Sequence, residues 1–179
     1  QGKIQIEYEE GDVEPCVRET VELIQQMANM HQISCQMTSE GPCHGWFDVE
    51  KLKKITTNLV SNAIKYTPAG GEVQVFLSVI QNKAGHDVLA LIVEDTGSGI
   101  EPEHLERIFE RFYRIPEKSI VDGSGIGLNL TKQLVDLWKG EIRAESPIHE
   151  DEDRPGTRFV VMLPIGKNEI PGKEKMNDR

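Results

Sequence analysis

The chain has 179 residues, 37% of them hydrophobic and 28% charged, with a formal net charge of −10. That is chain enough for one packed core, and an acidic balance with no basic run excludes a nucleic-acid surface. No apolar run reaches membrane-helix length and no secretory signal opens the chain. The segment therefore reads as a soluble, cytoplasmic piece without membrane contact, whatever longer protein carries it.

Cys16, Cys35 and Cys43 are odd in number and lack CxxC spacing, which argues against a disulfide framework and a zinc site. Ile4 to Tyr8 alternates apolar and polar residues and predicts a strand, broken at Gly11 and Asp12. Val13, Val17, Val21, Ile24, Met27 and Ala28 recur at helical spacing, with Pro15 in the first turn, so a helix is predicted from Val13 to about Asn29. Ile33 to Thr38 reads as a strand, and the following SEGPCHGWF as a loop.

Asp48 is a suitable N-cap for a helix that turns Leu52, Ile55, Leu59 and Ala63 inward and ends at TPAGG. Glu72 to Ile80 is a strand, QNKAGHD a turn, and the continuously apolar Val88 to Val93 a central strand. Pro102 to Phe109 suggests a short helix, and Arg114 to Ser124 a mobile loop. Leu128 to Trp138 is a helix stopped by Gly140, followed by strands Glu141 to Glu145 and Thr157 to Leu163. Residues 1–164 form the predicted domain. Residues 165–179, polar and interrupted by Pro171 and Gly172, read as a tail or linker outside the core. Strands and helices mix without regular βαβ alternation, which predicts an α+β two-layer sandwich with helices on one face of a mixed sheet.

Three stretches carry chemistry. In NLVSNAIKYT, residues Asn58, Asn62, Lys65 and Tyr66 share one helical stripe beside the apolar one. Two amide oxygens one turn apart suit Mg²⁺, a lysine beyond them suits phosphate, and a tyrosine suits a flat base. Alone, the stripe equally describes a solvated helix face. In EDTGSGI, Asp95 stands at a strand end before Gly97 and Gly99. A buried carboxylate there would accept an N–H from a base such as adenine, though Asp and Gly are also the ordinary residues of a turn. The same DTG would suit an aspartic protease, but no second such motif occurs, so that reading needs a homodimer. In DGSGIGL, Gly123, Gly125 and Gly127 lead into a helix whose N-terminal amides would favour phosphate. The spacing is neither the dinucleotide fingerprint nor a Walker A loop. Between these stretches, IFERFYR offers Arg111 and Arg114 as guanidinium forks.

The ordered set NLVSNAIKYTPAGG, EDTGSGI, IFERFYR, GSGIGL and GTRFVVMLP strongly resembles the asparagine, first glycine, phenylalanine, second glycine and last glycine boxes of sensor histidine kinases. The resemblance spans Ile4 to Pro164 and implies the Bergerat α/β sandwich, shared with gyrase-type and chaperone-type ATPases, with about five strands, three main helices and a mobile ATP lid at residues 115–124. It implies ATP and Mg²⁺ as cofactors. Asn58 and Asn62 would ligate or orient the metal, and Lys65 would meet phosphate. Tyr66 would pack near adenine. Asp95 would accept the adenine amino hydrogen in a pocket shaped by Gly97, Gly99 and Ile100. Arg111 and Arg114 would reach the terminal phosphates; Gly123, Gly125, Gly127 and Leu128 would form the phosphate edge; Thr157 would support the adenine end.

Two departures sharpen the expectation. Related hydrolases carry a glutamate base where this chain has Asn58, and a neutral amide cannot activate water. None of His31, His44, His86, His104 and His149 sits in a phosphoacceptor motif. The resemblance thus implies a catalytic domain that phosphorylates a histidine on a separate dimerisation domain, with a response regulator or fused receiver domain downstream. An ATP hydrolase or serine-directed kinase of the same fold, and a nucleotide-binding module without catalysis, are the competing readings.

Overall fold

In a computed structural model the described residues are 4–118 and 123–171. Residues 1–3, residues 119–122 within the expected lid, and residues 172–179 of the expected tail lie outside them. The elements run β1 (Glu9–Asp12), α1 (Val13–Met30), β2 (Ser34–Glu40), β3 (His44–Phe47), α2 (Val49–Lys65), β4 (Glu72–Gln81), β5 (Asp87–Asp95), α3 (Gly127–Leu137), β6 (Glu141–Glu145) and β7 (Thr157–Pro164).

Five strands form one mixed sheet in the order β2-β4-β5-β7-β6. The β2–β4 pair is parallel, because α2 carries the chain across between them; the remaining pairs are antiparallel. β5 is central, which accounts for its unbroken apolar run. Alternate residues Val73, Val75 and Leu77, Leu89, Leu91 and Val93, and Phe159, Val161 and Leu163 are buried together with residues of the helices. α1 contributes Val13, Val17 and Val21, α2 contributes Leu52, Ile55, Leu59 and Ala63, and α3 contributes Leu134 and Val135. These are the predicted stripes. Truncating one of the large ones, such as Leu59, costs about 2–5 kcal/mol.

Asp48 caps α2 as expected: its carboxylate accepts from the Lys51 amide at 3.0 Å and also from the Glu7 amide at 2.8 Å. α2 stops at Tyr66, and its last two turns carry the asparagine stripe.

Four expectations change. The first strand is not Ile4–Tyr8 but Glu9–Asp12, paired antiparallel with β3. Ile6 and Tyr8 do pack against the core, so the alternation reports burial of an extended segment without a ladder. Gly11 pairs with Gly45 inside the strand, and Asp12 serves as the N-cap of α1, accepting from the Glu14 amide at 3.2 Å. The loop predicted after β2 contains β3, whose only strand partner among the described residues is more than thirty residues earlier in the chain. The short helix at Pro102–Phe109 is two 3₁₀ turns, Pro102–His104 and Arg107–Phe109. Finally, the core does not end at Pro164. Ile165 and Ile170 are buried, the Ile165 carbonyl accepts from the Trp46 amide, and its own amide donates to Asp87. Among the described residues, no helix is long and apolar enough to cross a membrane.

Candidate functional site

The end of α2, the end of β5, the start of α3 and the start of β7 converge on two adjoining cavities. The first, of about 50 Å³, has Tyr66, Asp95, Gly99, Ile100, Leu128 and Thr157 among its walls. The second, of about 220 Å³, is bounded by Asn58, Lys65, Gly123, Gly125 and Gly127 among others. Asn62, Ile108 and Leu128 border both.

Asp95 is the last residue of β5 and only 5% exposed. The Gly97 amide donates to its Oδ1 at 2.8 Å, and β5 pairs it with Thr157 on β7. Desolvation pushes its carboxyl up to about 6, although the Gly97 and Thr157 amides, Lys118 and His149 oppose the shift. A carboxyl held in this way is an acceptor facing an apolar slot, suited to an N–H donor on a flat ring. Gly99 turns the chain above it at φ +69°, and a Cβ there would stand 2.7 Å from Pro155 Cγ, so only glycine fits. Ser146 Oγ ties this turn to the strand beyond, accepting from the Ile100 amide at 2.8 Å and donating to the Gly156 carbonyl at 2.7 Å.

At the second cavity Asn58 Nδ2 donates to the Gly127 carbonyl at 3.3 Å and to Thr131 Oγ1 at 3.2 Å. α2 is thereby fastened to the first turn of α3, with the Asn58 amide oxygen not used in either bond. α3 starts behind Ile126, whose side chain cannot cap it. Its first-turn amides, with the helix dipole behind them, are donors of the kind that suit an anion. Lys65, exposed at the end of α2, faces the same space. Gly125, at φ +68°, lets its carbonyl accept from the Phe112 amide at 3.1 Å, which links the glycine loop to the IFERFYR turn. Phe112 itself holds φ +64°, uncommon for an aromatic side chain.

A family profile described as histidine kinase-, DNA gyrase B- and HSP90-like ATPase matches residues 47–167. The chain belongs to this family. Among curated relatives, sensor histidine kinase Hik2 of Synechocystis is 39% identical over 120 residues, covering 65% of this chain and 28% of its own length. The structure of the mycobacterial sensor histidine kinase MprB aligns with TM-score 0.74 and 27% identity, over 89% of this chain and 99% of that one. Full-length ShkA in complex with AMPPNP aligns with TM-score 0.73 and 26% identity, over 92% of this chain and 32% of that one. The chain spans only 9 to 28% of the length of the curated relatives it matches first.

The fold is that of histidine kinase catalytic domains, and the family is an ATP-binding one. Within it, the structure gathers Asn58, Asn62, Lys65, Tyr66, Asp95, Gly99, Ile100, Gly123, Gly125, Gly127, Leu128 and Thr157 around the paired cavities. Gly97 lies beneath, as a donor to Asp95. Arg111 and Arg114 line neither cavity; the Arg111 guanidinium stacks over the Phe112 ring at 4.7 Å. Sequence reasoning missed Phe159, Ser146, Tyr113 and Lys118. Phe159 was readable, since on a strand it shares the face of Thr157. Ser146 and Lys118 sit in stretches with no periodic signal, and Tyr113 lies inside IFERFYR, where the arginines carry the stronger chemical signal.

Proposed function

We propose that this chain is the ATP-binding catalytic part of a two-component sensor histidine kinase. It would transfer the γ-phosphoryl group of ATP to a histidine on a separate phosphoacceptor domain, within a cytoplasmic signalling pathway that continues to a response regulator or receiver domain. The observation that carries the reading is the adjacency of an acceptor-floored apolar slot at Asp95 and a donor-rich cavity at Asn58, Asn62, Lys65 and the α3 N-terminus. A base and a polyphosphate call for that pair. The relatives' names support the histidine acceptor, and the AMPPNP bound by ShkA supports the nucleotide.

The two asparagine amides provide hard oxygen donors on one wall, the ligand type Mg²⁺ takes. Bound there, Mg²⁺ would neutralise charge on the phosphate oxygens. Lys65 would hold the phosphate chain from the same helix, and the α3 amides from the opposite side. Asp95 would orient the base, with Tyr66 and Ile100 excluding water around it. Arg111 and Arg114 would have to swing from their present positions to meet the terminal phosphate. No carboxylate takes the place of Asn58 as a base for water, which favours transfer over hydrolysis. In this fold, positioning and charge neutralisation supply the catalysis.

The test is calorimetric titration with ATP and Mg²⁺, followed by incubation with a phosphoacceptor domain and radiolabelled ATP. Binding, and an acid-labile, base-stable label on the acceptor, are expected. No binding at millimolar nucleotide to folded protein, or an acid-stable label, refutes the reading.

A further inference from the structure

Lys118 closes the 3₁₀ turn Pro116–Lys118 and sends its side chain into the base cavity. The ammonium donates to the Gly99 carbonyl oxygen and stands 5.9 Å from the centroid of the Tyr66 ring. Asp95 shares this cavity and attracts it, as does Glu101. The residue is half-buried, and desolvation holds its ammonium below the ordinary lysine range against the pull of both carboxylates. Ordering a lysine and removing its charge from water are both costly, so it settles in an apolar slot only where acceptors meet it. Here the acceptor that meets it is the Gly99 carbonyl, on the wall of the cavity that also holds Asp95. The Tyr66 ring that a flat base would stack on serves a cation equally well.

We propose that Lys118 is a tethered competitor for the base seat: its ammonium, held on the Gly99 carbonyl, occupies the cavity in which a base would meet Asp95, and it thereby sets the affinity and the base selectivity of the pocket. The inference rests on the nucleotide reading of the site. A base with an amino group must displace Lys118 to reach Asp95. A base with a carbonyl oxygen in that place offers the ammonium an acceptor and leaves it seated. Lys118 therefore weakens adenine binding and blunts the distinction between adenine and hypoxanthine.

The experiment is calorimetry on the full chain at pH 8 with adenosine, inosine and Mg²⁺–ADP. It compares the parent, Lys118→Met, which keeps the stem without the charge, and Lys118→Arg, which keeps the donors. Adenosine should bind Lys118→Met about three- to tenfold more tightly, the reach of one hydrogen bond. Inosine should bind no more tightly than to the parent, and Lys118→Arg should stay within about twofold of the parent for adenosine. If adenosine binds Lys118→Met no better while ADP binds the parent, the competitor role is overturned and the nucleotide reading stands. If ADP weakens while adenosine is unchanged, Lys118 is a phosphate contact instead. If ADP binds neither protein, both readings fall.

Discussion

Replacing Asp95 by asparagine should separate stability from ligand binding. Asp95 is 5% exposed and its carboxyl is displaced from 3.8 to about 6, chiefly by desolvation. A displacement of that size corresponds to about 3 kcal/mol of folding free energy withheld when the group ionises. The folded state binds the proton more tightly than the unfolded chain, so the penalty is absent below about pH 4. It grows between pH 4 and 6 and is complete above. Asparagine removes the charge. It also replaces a charge-assisted bond from the Gly97 amide with a neutral one, at about 1 kcal/mol. Asp95→Asn should therefore be about 1–2 kcal/mol more stable than the parent at pH 8, with the gap closing toward pH 4. Adenosine binding should fall thirty- to hundredfold, because a strong acceptor is lost and an amide donor can take its place. Urea unfolding from pH 4 to 8 and calorimetry with adenosine measure the two sides. A variant less stable than the parent at pH 8, or one that keeps adenosine affinity within threefold, would refute the account of Asp95 as a strained, ligand-facing acceptor.

Asn62→Ala should remove most of the gain in ATP affinity that Mg²⁺ brings, about tenfold or more, while leaving adenosine affinity near that of the parent; an unchanged Mg²⁺ dependence contradicts the metal assignment. Gly99→Ala should destabilise by about 1–3 kcal/mol and abolish adenosine binding, since φ +69° and Pro155 leave no room for a side chain; a crystal of the variant with an undisplaced turn argues the opposite. Asp48 is also buried, and desolvation works against its charge, yet the Glu7 and Lys51 amides and the Lys51 ammonium hold its carboxyl below the ordinary range. Asp48→Ala should cost about 3 kcal/mol at pH 7. Because a lowered folded value stabilises above the unfolded one, the difference should shrink as pH falls through 4 and below in acid-unfolding curves; a pH-independent loss counts against the charged cap.

The sequence disclosed the parts of the fold governed by local chemistry. The cap at Asp48, the inward stripe of α2 and the apolar run of β5 each carry their own signal, and each sits where its pattern placed it. The misplaced parts depend on partners far along the chain. β3 is too short to announce itself and becomes a strand only because Glu9–Asp12 lies beside it. Ile165 looked like the start of a polar tail, but its backbone is held by Trp46 and Asp87 and its side chain lies buried against Gly45, all remote in sequence. The site divides similarly. Two asparagines one helical turn apart and glycines beside an aspartate are local patterns. The entry of Lys118 into the base cavity follows from the path of an irregular loop, which no periodicity encodes.

Asn58 gives its amide hydrogens to Gly127 and Thr131, its oxygen is used in neither bond, and the residue borders the proposed metal cavity. One rigid side-chain plane therefore serves two clients. If the metal draws the oxygen, the nitrogen moves with it and tugs on the first turn of α3. By thermodynamic reciprocity, any partner that repositions α3 must change metal affinity by the same factor by which the metal changes the partner's grip. Occupancy of the nucleotide cavity and the posture of the helix beside it are then two readings of a single equilibrium. A docking domain could sense whether nucleotide is loaded without touching the nucleotide.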